Sequence, residues 1–270
     1  MIKVGGSLGA EMAGACADIA ELAGQGGEVV VVHGGGAEAD RLAAELGRPA
    51  RTMTARNGRH SRYTDAPALD ALAMAMLGRL KPALVTALSR AGVRAVGLSG
   101  IDGSLVTARR TPPARVVVDG VERVVRDDFS GRIHEVVPDL LVTLLGGGYV
   151  PVVSPPALDP AGGMLNVDAD RFAARLSVAL AADWLIILSN VPGLLRDPAD
   201  PTSLVTEVPC EELSRHLNDA GGRMKVKLQS AAEAFLTGVP HVVLADGRQD
   251  SPVLAARAGA GTTFVKGTSR

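Results

Sequence analysis

Two glycine-rich loops, each directly after a short apolar run, are the parts of this sequence best suited to chemistry. The first follows "IKV" and begins with Gly5 and Gly6, and the second, "HGGG" at residues 33–36, follows "EVVVVH". Backbone amides exposed at the start of a helix bind phosphate or carboxylate groups. Lys3, within the first apolar run, adds a positive charge beside the first loop. The two loops therefore predict a cleft that binds an anion.

The same loops also fit the pattern of a serine hydrolase. "GGSLG" at residues 5–9 reads G-x-S-x-G, the turn that carries a nucleophilic serine, and HGGG is typical of an oxyanion loop. In that fold the serine turn follows several strands, and the HGGG loop precedes it in sequence. Here the order is reversed, because Ser7 follows the first apolar run. The anion-binding interpretation is favoured, and nucleophilic Ser7 is kept as an alternative.

The elements that must position these loops alternate along the chain. Ala- and Leu-rich stretches of helical period, such as residues 65–91 and 168–181, separate short β-branched runs. The runs predicted to be strands are IKV, EVVVVH, AVGLSG, YVPVVSP, WLIILSN, HVVLAD and TTFV. This alternation predicts an α/β fold, a three-layer αβα sandwich around a mainly parallel sheet. Asp119-Gly120, between two alternating runs, predicts a β-hairpin that projects from the sheet.

Composition narrows the class of protein. The chain has 270 residues, 47% of them hydrophobic, with a net charge of −1, so a large core is possible and no global attraction to nucleic acid or membrane is expected. Cys16 and Cys210 are too few for a metal site or a disulfide framework. No leader precedes Ile2, and no apolar run reaches the ~18 residues of a membrane span. We therefore predict a cytoplasmic protein.

Five motifs, in this order and at this spacing, resemble the amino acid kinase family over essentially the whole chain. They are IKVGGSLG, VVVHGGG, LNVDAD, LSNVPGLL and GGRMKVKLQSAAEA, and the branch they are most similar to is the N-acetylglutamate kinase type. The reaction that this resemblance implies is phosphoryl transfer from ATP to a side-chain carboxylate, which gives an acyl phosphate. It also implies Mg²⁺, bound mainly by ATP phosphates and water. No protein ligand to a metal is predicted.

The resemblance implies catalytic roles residue by residue. Lys3 and Lys227 would stabilise the charge of the transferred group from opposite sides, and Asp170 would orient both lysines. Asp168 would share part of that work, or would cap the helix that follows it. Lys225, two residues before Lys227, is the alternative candidate for the second lysine.

Ligand-binding roles follow from the same resemblance. The implied substrate-binding residues are Gly34, Gly35, Arg62 and Asn166, with Arg62 on the substrate's α-carboxylate. The implied ATP-binding residues are Gly5, Gly6, Ser189, Asn190, Leu195, Gly222 and Met224. Many family members have Asp where this chain has Asn190, so one polar contact to the nucleotide would differ. A soft boundary near residues 154–163 divides the single domain, 1–270, into a substrate lobe, 1–155, and an ATP lobe, 156–270.

"NGRHSRYTD" at residues 57–65 indicates a subgroup. Acetylglutamate kinases typically show a shorter G-x-R-x-T-D at this place. The longer form resembles kinases that phosphorylate aminoadipate or glutamate attached to LysW, a small acidic carrier protein. The sequence "GRMK" near Lys225 also resembles this subgroup. The stretch from residue 48 to 62 contains no acid and carries Arg48, Arg51, Arg56, Arg59, His60 and Arg62. Such a one-signed run suits an acidic partner, so we predict a LysW-like carrier, in lysine or arginine biosynthesis.

Many relatives in the resembled family are homodimers, and a homodimer is expected here. Besides the serine hydrolase, two alternatives for the function stay open. One is an N-acetylglutamate kinase that acts on free N-acetyl-L-glutamate. The other is a non-catalytic sensor of nucleotide or amino acid on the same fold, against which the presence of both lysines and of the acids in "NVDAD" counts.

Overall fold

Strands and helices alternate along the chain in the computed structural model, which describes residues 1–5, 11–55, 58 and 60–267. The strands are β1 (Ile2–Val4), β2 (Val31–His33), β3 (Thr52–Ala55), β4 (His60–Arg62), β5 (Ala95–Gly100), β6 (Val106–Arg110), β7 (Ala114–Val118), β8 (Val121–Val125), β9 (Gly131–Val136), β10 (Val150–Leu158), β11 (Met164–Leu165), β12 (Trp184–Ser189), β13 (Leu194–Leu195), β14 (Leu204–Val205), β15 (Glu207–Pro209), β16 (His241–Asp246) and β17 (Thr262–Val265). Every run predicted to be a strand contains one. The predictions on Gly6, Ser7, Arg56 and Arg59 lie outside the described residues.

Nine α-helices lie between the strands of the described residues. They are α1 (Glu11–Gly24), α2 (Gly36–Glu45), α3 (Ala66–Ala73), α4 (Lys81–Arg90), α5 (Asp139–Gly146), α6 (Ala169–Ala179), α7 (Leu213–Asp219), α8 (Gly222–Leu236) and α9 (Pro252–Arg257). A π-helical segment, Met74–Leu80, joins α3 to α4, and 3₁₀ turns cover Asp102–Ser104 and Cys210–Glu212.

A mostly parallel sheet forms the middle layer, with the order β15-β17-β16-β12-β1-β2-β10-β6-β9, and β5 and β11 also pair with β10. Strand β1 lies between β2 and β12 and runs parallel to both. The chain thus leaves β1 toward one side of the sheet and later returns on the other side. Such a switch point opens a crevice at the carboxyl ends of the strands, which is where open α/β sheets bind ligands.

Alternate residues of the central strands face two different helical layers. Val31 lies in a core cluster with Leu84 of α4, and this cluster also includes side chains of α1 and α9. Val32 lies in the other cluster, with Phe172 of α6 and Leu228 of α8. The sheet is therefore covered on both faces, and the predicted αβα sandwich is confirmed.

The predicted hairpin is also confirmed. Strands β7 and β8 pair antiparallel around Asp119 and Gly120, which have φ angles of 52° and 79°. Positive φ at both central residues is the requirement of a type I′ turn. The hairpin does not project alone, because it belongs to a second sheet of order β4-β3-β7-β8. The sequence analysis missed β3 and β4, which are short and contain polar or charged residues.

The helical stretch Ala66–Arg90 corrects one expectation. By length and composition it is apolar enough to cross a membrane, although the sequence analysis expected no such run. In this fold Leu72 of α3, and Leu84 and Leu88 of α4, are buried, and the stretch packs on α2, β5 and β10. A core helix meets the same criterion, so the stretch is weak support for a membrane location.

The predicted soft boundary at residues 154–163 overlaps strand β10. This strand continues to Leu158 and pairs with β2, β5, β6 and β11. A turn over residues 159–163 follows it, in which the Gly162 amide donates to the Asp159 carbonyl. The central sheet thus contains strands from both sides of the boundary, and the assignment of two lobes stays a prediction.

Candidate active site

Lys3 and Lys227 bind the two oxygens of one carboxylate, that of Asp170. The distance from Lys3 Nζ to Asp170 Oδ1 is 2.7 Å, and that from Lys227 Nζ to Asp170 Oδ2 is 2.8 Å. Lys3 comes from β1, Asp170 from the first turn of α6, and Lys227 from the second turn of α8. The pairing of α6 against α8, over the central strand, brings together residues from the two ends of the chain.

Lys3 and Asp170 are buried and Lys227 is half-buried, with relative side-chain exposures of 6%, 9% and 16%. Burial by itself would raise the pKa of Asp170, but the two ammonium groups outweigh it and hold this pKa below its ordinary value. Burial, together with the charge of Lys3, lowers the pKa of Lys227. Two ammonium groups against one carboxylate leave an excess positive charge, which suits the oxygens of a phosphoryl group.

Asp168 caps the helix that carries Asp170. Its Oδ1 accepts hydrogen bonds from the backbone amides of Asp170 and Arg171, both at 3.0 Å. Burial, and then the neighbouring charge of Asp170, raises the pKa of Asp168. The hydrogen bonds of Asp168 are therefore those of a helix cap, as one interpretation of "NVDAD" predicted. This cap fixes Asp170 in the first turn of α6.

The loop after β2 begins with a fixed set of hydrogen bonds. The Gly34 amide donates to the Val4 carbonyl at 3.2 Å, so this amide, predicted to bind a ligand, is used within the fold. The Ala39 amide donates to the Gly35 carbonyl at 2.9 Å as α2 begins. The amides of the first turn of α2 have no carbonyl partner inside the helix. The amide of Gly35 and those that follow are therefore the ones suited to an anion.

Gly35 is required at its position by close packing. A Cβ added there would lie 2.6 Å from Met76 Cγ and 3.0 Å from Leu80 Cδ1. Both contacts come from the π-helical segment, which packs directly beneath the loop. At Gly5, in contrast, an added Cβ would meet no atom of the described residues within 4 Å.

The residue before this loop, His33, is buried and binds on both ring nitrogens. Its Nδ1 lies 2.8 Å from the Gly34 carbonyl oxygen, and its Nε2 lies 2.6 Å from Ser154 Oγ. Burial lowers the pKa of His33 to about 4, and the charges of Lys81 and Lys3 add to this effect. The sequence analysis recognised HGGG as a motif but gave its histidine no role.

Arg62 contacts the start of α2 after the glycine loop, and Asn166 contacts the chain two residues after Arg62. Arg62 Nη2 donates to the Gly36 carbonyl at 3.0 Å, and its Nη1 forms an ion pair with Asp40 of α2. Asn166 Nδ2 donates to Thr64 Oγ1 at 3.1 Å. Because Thr64 follows Arg62 by two residues, the structure brings both predicted substrate-binding residues to one region.

A buried polar cluster behind Asn166 was missed by the sequence analysis. Asp128 Oδ1 accepts hydrogen bonds from the Thr64 amide and from Ser130 Oγ, both at 3.0 Å. Burial raises the pKa of Asp128, against these hydrogen bonds. Thr64 and Asp128 meet only through the tertiary fold, and "DDFSG" matches no motif that could have marked them.

Five of the residues predicted to bind ATP lie at three places. Ser189 ends β12, the neighbour of β1, and Asn190 follows it; the Gly247 amide donates to the Ser189 carbonyl at 2.7 Å. Gly222 and Met224 form the first turn of α8, one turn before Lys227. Leu195 lies in β13, which pairs with β14. Their roles toward the nucleotide stay predictions.

Within the described ranges, no group of three or more His, Cys, Asp or Glu side chains is placed to hold a metal ion.

Comparisons with known proteins agree with the motifs. A sequence model of the amino acid kinase family matches residues 1–246. The [LysW]-aminoadipate kinase of Deinococcus radiodurans is 44% identical over 97% of this chain and 90% of its own length. The acetylglutamate kinase of Myxococcus xanthus is 37% identical over 98% of this chain and 88% of its own. The N-acetylglutamate synthase of Neisseria gonorrhoeae superposes with a TM-score of 0.80 at 26% identity, over 99% of this chain and 59% of that chain.

Proposed function

The chain belongs to the amino acid kinase family, and from this premise we propose that it phosphorylates the side-chain carboxylate of an amino-protected acidic amino acid with ATP. The substrate we propose is 2-aminoadipate or glutamate attached to a LysW-like carrier protein. The observation that carries the proposal is the pair of ammonium groups, one buried and one half-buried, that contact the buried carboxylate of Asp170. This pair lies beside the carboxyl end of β1, where an open sheet binds its ligands.

The proposed step is a single displacement. A carboxylate oxygen of the substrate attacks the γ-phosphorus, the bond to the bridging oxygen breaks, and ADP leaves with the electron pair. Lys3 and Lys227 donate hydrogen bonds to the oxygens of the transferred group, while Asp170 holds both amines in place. The amides at the start of α2 add further donors. When bound with ATP, Mg²⁺ neutralises phosphate charge, and we propose phosphates and water as its main ligands.

The remaining predicted residues take the roles expected from the sequence. Arg62, held at the start of α2 by Asp40, presents its planar fork to the substrate's α-carboxylate. Asn166, held by Thr64, hydrogen-bonds to the substrate. The nucleotide is bound by the ends of β1 and β12, the β13 region and the first turn of α8: Gly5, Gly6, Ser189, Asn190, Leu195, Gly222 and Met224.

The arginine run at residues 48–62, which lies beside the hairpin in the second sheet, supports the carrier as partner. Among the predicted arginines that the structure describes, Arg51 forms an ion pair with Asp65 and Arg62 with Asp40, so part of their charge is neutralised. Strands β3 and β4 lie in this basic run, and β3 pairs with β7 of the hairpin. Three further exposed arginines, Arg115, Arg123 and Arg126, lie on the hairpin or just after it, among the exposed acids Asp119, Glu122 and Asp127. We propose that this hairpin surface binds the acidic carrier.

Turnover assays with three substrates test the proposal. The purified protein is given ATP with carrier-linked aminoadipate, with carrier-linked glutamate, or with free N-acetyl-L-glutamate, and acyl phosphate is trapped with hydroxylamine. We expect higher kcat/KM with a carrier-linked substrate. Preference for the free compound would make the protein an N-acetylglutamate kinase, and nucleotide binding without turnover on any of them would favour a sensor.

The setting of the enzyme belongs to the same proposal. We propose a cytoplasmic homodimer that acts in lysine or arginine biosynthesis. Light scattering at several concentrations tests the dimer, because a molar mass near that of one 27.7 kDa chain would contradict it.

A further inference from the structure

His33 and Ser154 form a buried pair between neighbouring strands. The exposed fraction of His33 is 1%, and that of Ser154 is 0%. Strands β2 and β10 run parallel with Val31 opposite Val152 and Val32 opposite Val153, so the next residues along are His33 and Ser154. Their side chains point to the same face of the sheet.

The hydrogen bonds of this pair fix the tautomer of His33. A carbonyl oxygen can only accept, so Nδ1 must carry the proton that is donated to Gly34. The ring is neutral near pH 7, because its pKa is about 4. Nε2 is then unprotonated and accepts a hydrogen bond from the Ser154 hydroxyl group. The Gly34 carbonyl is therefore held on the side of the sheet where the His33 ring lies.

That side is opposite to the lysines. His33 follows Val31 by two residues, and Val31 packs in the cluster that contains Leu84 of α4. Lys3 is opposite Val32 in the parallel register, and Val32 packs in the cluster that contains Phe172 of α6. The two ends of the loop are also fixed, by the Gly34 amide on Val4 and by the Gly35 carbonyl at the start of α2.

We propose that His33 is a positioning residue that sets the orientation of the peptide bond between Gly34 and Gly35. In a planar trans peptide the carbonyl and the following N–H point in opposite directions, and the described residues contain no cis peptide. Holding the Gly34 carbonyl on the α4 side therefore points the Gly35 amide toward the side of Lys3 and Asp170. Ser154 supports this arrangement by keeping the proton of His33 on Nδ1.

The identity of the group that the Gly35 amide binds depends on the proposed function. If the protein is a carboxylate kinase, this amide donates to an oxygen of the transferred phosphoryl group or of the attacking carboxylate. A glycine pair has little intrinsic preference for one peptide orientation. The hydrogen bond from His33 supplies the preference in advance, so the donor is in place before the reaction begins.

The first test needs no substrate. Long-range ¹H–¹⁵N correlation spectra of the ¹⁵N-histidine-labelled protein at pH 7 report the tautomer of each ring, and the signals of His33 are those lost in His33→Asn. We expect a neutral ring protonated on Nδ1. A ring protonated on Nε2, or a charged ring, would overturn the proposal whatever reaction the protein catalyses.

The second test is kinetic. Loss of one aligned backbone donor lowers kcat by about 100-fold, so His33→Leu should lower kcat to this extent with little change in KM. Asn places an amide N–H near the position of Nδ1, so His33→Asn should recover most of kcat. The matched control is Asp18→Ala: Asp18 is also buried, but its carboxylate accepts from the amides of Val253 and Leu254 at the start of α9.

The outcomes separate the proposal from the proposed function. If Asp18→Ala, compared at similar loss of stability, lowers kcat as much as His33→Leu does, or if His33→Asn recovers nothing, the positioning role is wrong. If the wild-type protein transfers no phosphoryl group to any carboxylate, the proposed function fails, and the tautomer alone decides the role of His33. The tautomer measurement likewise decides it if His33→Leu does not fold.

Discussion

Lys227 reaches the same carboxylate as Lys3 but binds its other oxygen, so the distance between the two amines is set by the width of Asp170. Either lysine alone on a buried carboxylate would form a neutral pair. The second ammonium group gives the site its excess positive charge, at the price of a lowered pKa for Lys227. The arrangement is therefore built for a negatively charged reactant, and it depends on Asp170 remaining ionised.

Replacing Asp170 should damage both stability and catalysis. Breaking a buried ion pair by removing one partner destabilises a protein by about 3–5 kcal/mol, so Asp170→Asn should lower the free energy of unfolding by that order. Without the carboxylate, the pKa of Lys227 should fall further. The alkaline limb of the kcat profile should then move to lower pH.

Asp168→Asn is the matched control for this substitution. An asparagine can still accept from the amides that begin α6, so we expect a smaller loss of stability and of kcat than with Asp170→Asn. Denaturant unfolding and pH–rate profiles of both variants check the comparison. Equal losses of stability and of kcat in the two variants would show that the ion pairs between Asp170 and the lysines do not explain the effect of Asp170→Asn.

The choice between Lys227 and Lys225 can be tested directly. Lys227 contacts Asp170. Lys225 lies two residues earlier in the same helix, and its backbone amide donates to the Gly221 carbonyl. Lys227→Met should lower kcat by about 10²- to 10³-fold, and Lys225→Met should lower it far less. Single-turnover assays at saturating ATP measure this. A stronger effect at Lys225 would contradict the assignment.

Gly35→Ala should destabilise the protein through overpacking. The added methyl group would lie 2.6 Å from Met76 Cγ, so the π-helical segment must shift. Insertions of this kind cost about 1–3 kcal/mol. Gly5→Ala is the matched control, because its added Cβ would contact none of the residues that the structure describes. The free energy of unfolding of this variant should change less. Similar unfolding free energies for the two variants would mean that the segment beneath the loop yields easily.

Stability should fall as the pH is lowered from 7 to 5, in part because of His33. The folded pKa of about 4 lies below the ordinary value of 6.5, so in this window the unfolded chain binds the proton and the folded one does not. His33 accounts for about 2 kcal/mol of the free energy of unfolding lost between pH 7 and pH 5. The buried amino group of Met1, with a pKa near 5, adds a slope of the same sign.

His33→Asn separates the two contributions, because it retains the slope from Met1 and loses that from His33. Urea unfolding of both proteins at pH 7 and at pH 5 gives the difference. Equal pH dependence in the wild type and the variant would refute the assignment of this proton to His33.

The charged residues of the site could be predicted because each lies in a short local motif. The residues and strands that hold the site in place could not. A lysine in a strand before a glycine loop, and acids at a helix start, can be recognised from a few neighbouring residues. Asp128 and Thr64 meet across the fold, and neither lies in a periodic pattern. Strands β3 and β4 are polar and short, so their strand character comes from pairing in the second sheet, where β3 pairs with β7 of the hairpin and β4 pairs with β3. The donor to Gly34 was hidden because HGGG was interpreted through its glycines.

A charge reversal on the hairpin should weaken the use of a carrier-linked substrate selectively. Arg115 is exposed on β7, in the sheet that also contains β3 and β4. Rim charges act mainly on the rate of encounter and are screened by salt. Arg115→Glu should therefore lower kcat/KM for the carrier-linked substrate, with a shallower dependence on salt, and leave kcat/KM for a free amino-protected substrate near that of the wild type.

Arg215→Glu provides the control for this reversal. Arg215 lies in α7 with a side chain that is 75% exposed, so the substitution changes net charge by the same amount elsewhere on the surface. Initial rates at low substrate are measured between low and high ionic strength for both variants and the wild type. If the two reversals lower kcat/KM equally, the attraction is one of net charge alone, and the hairpin surface is not where the carrier binds.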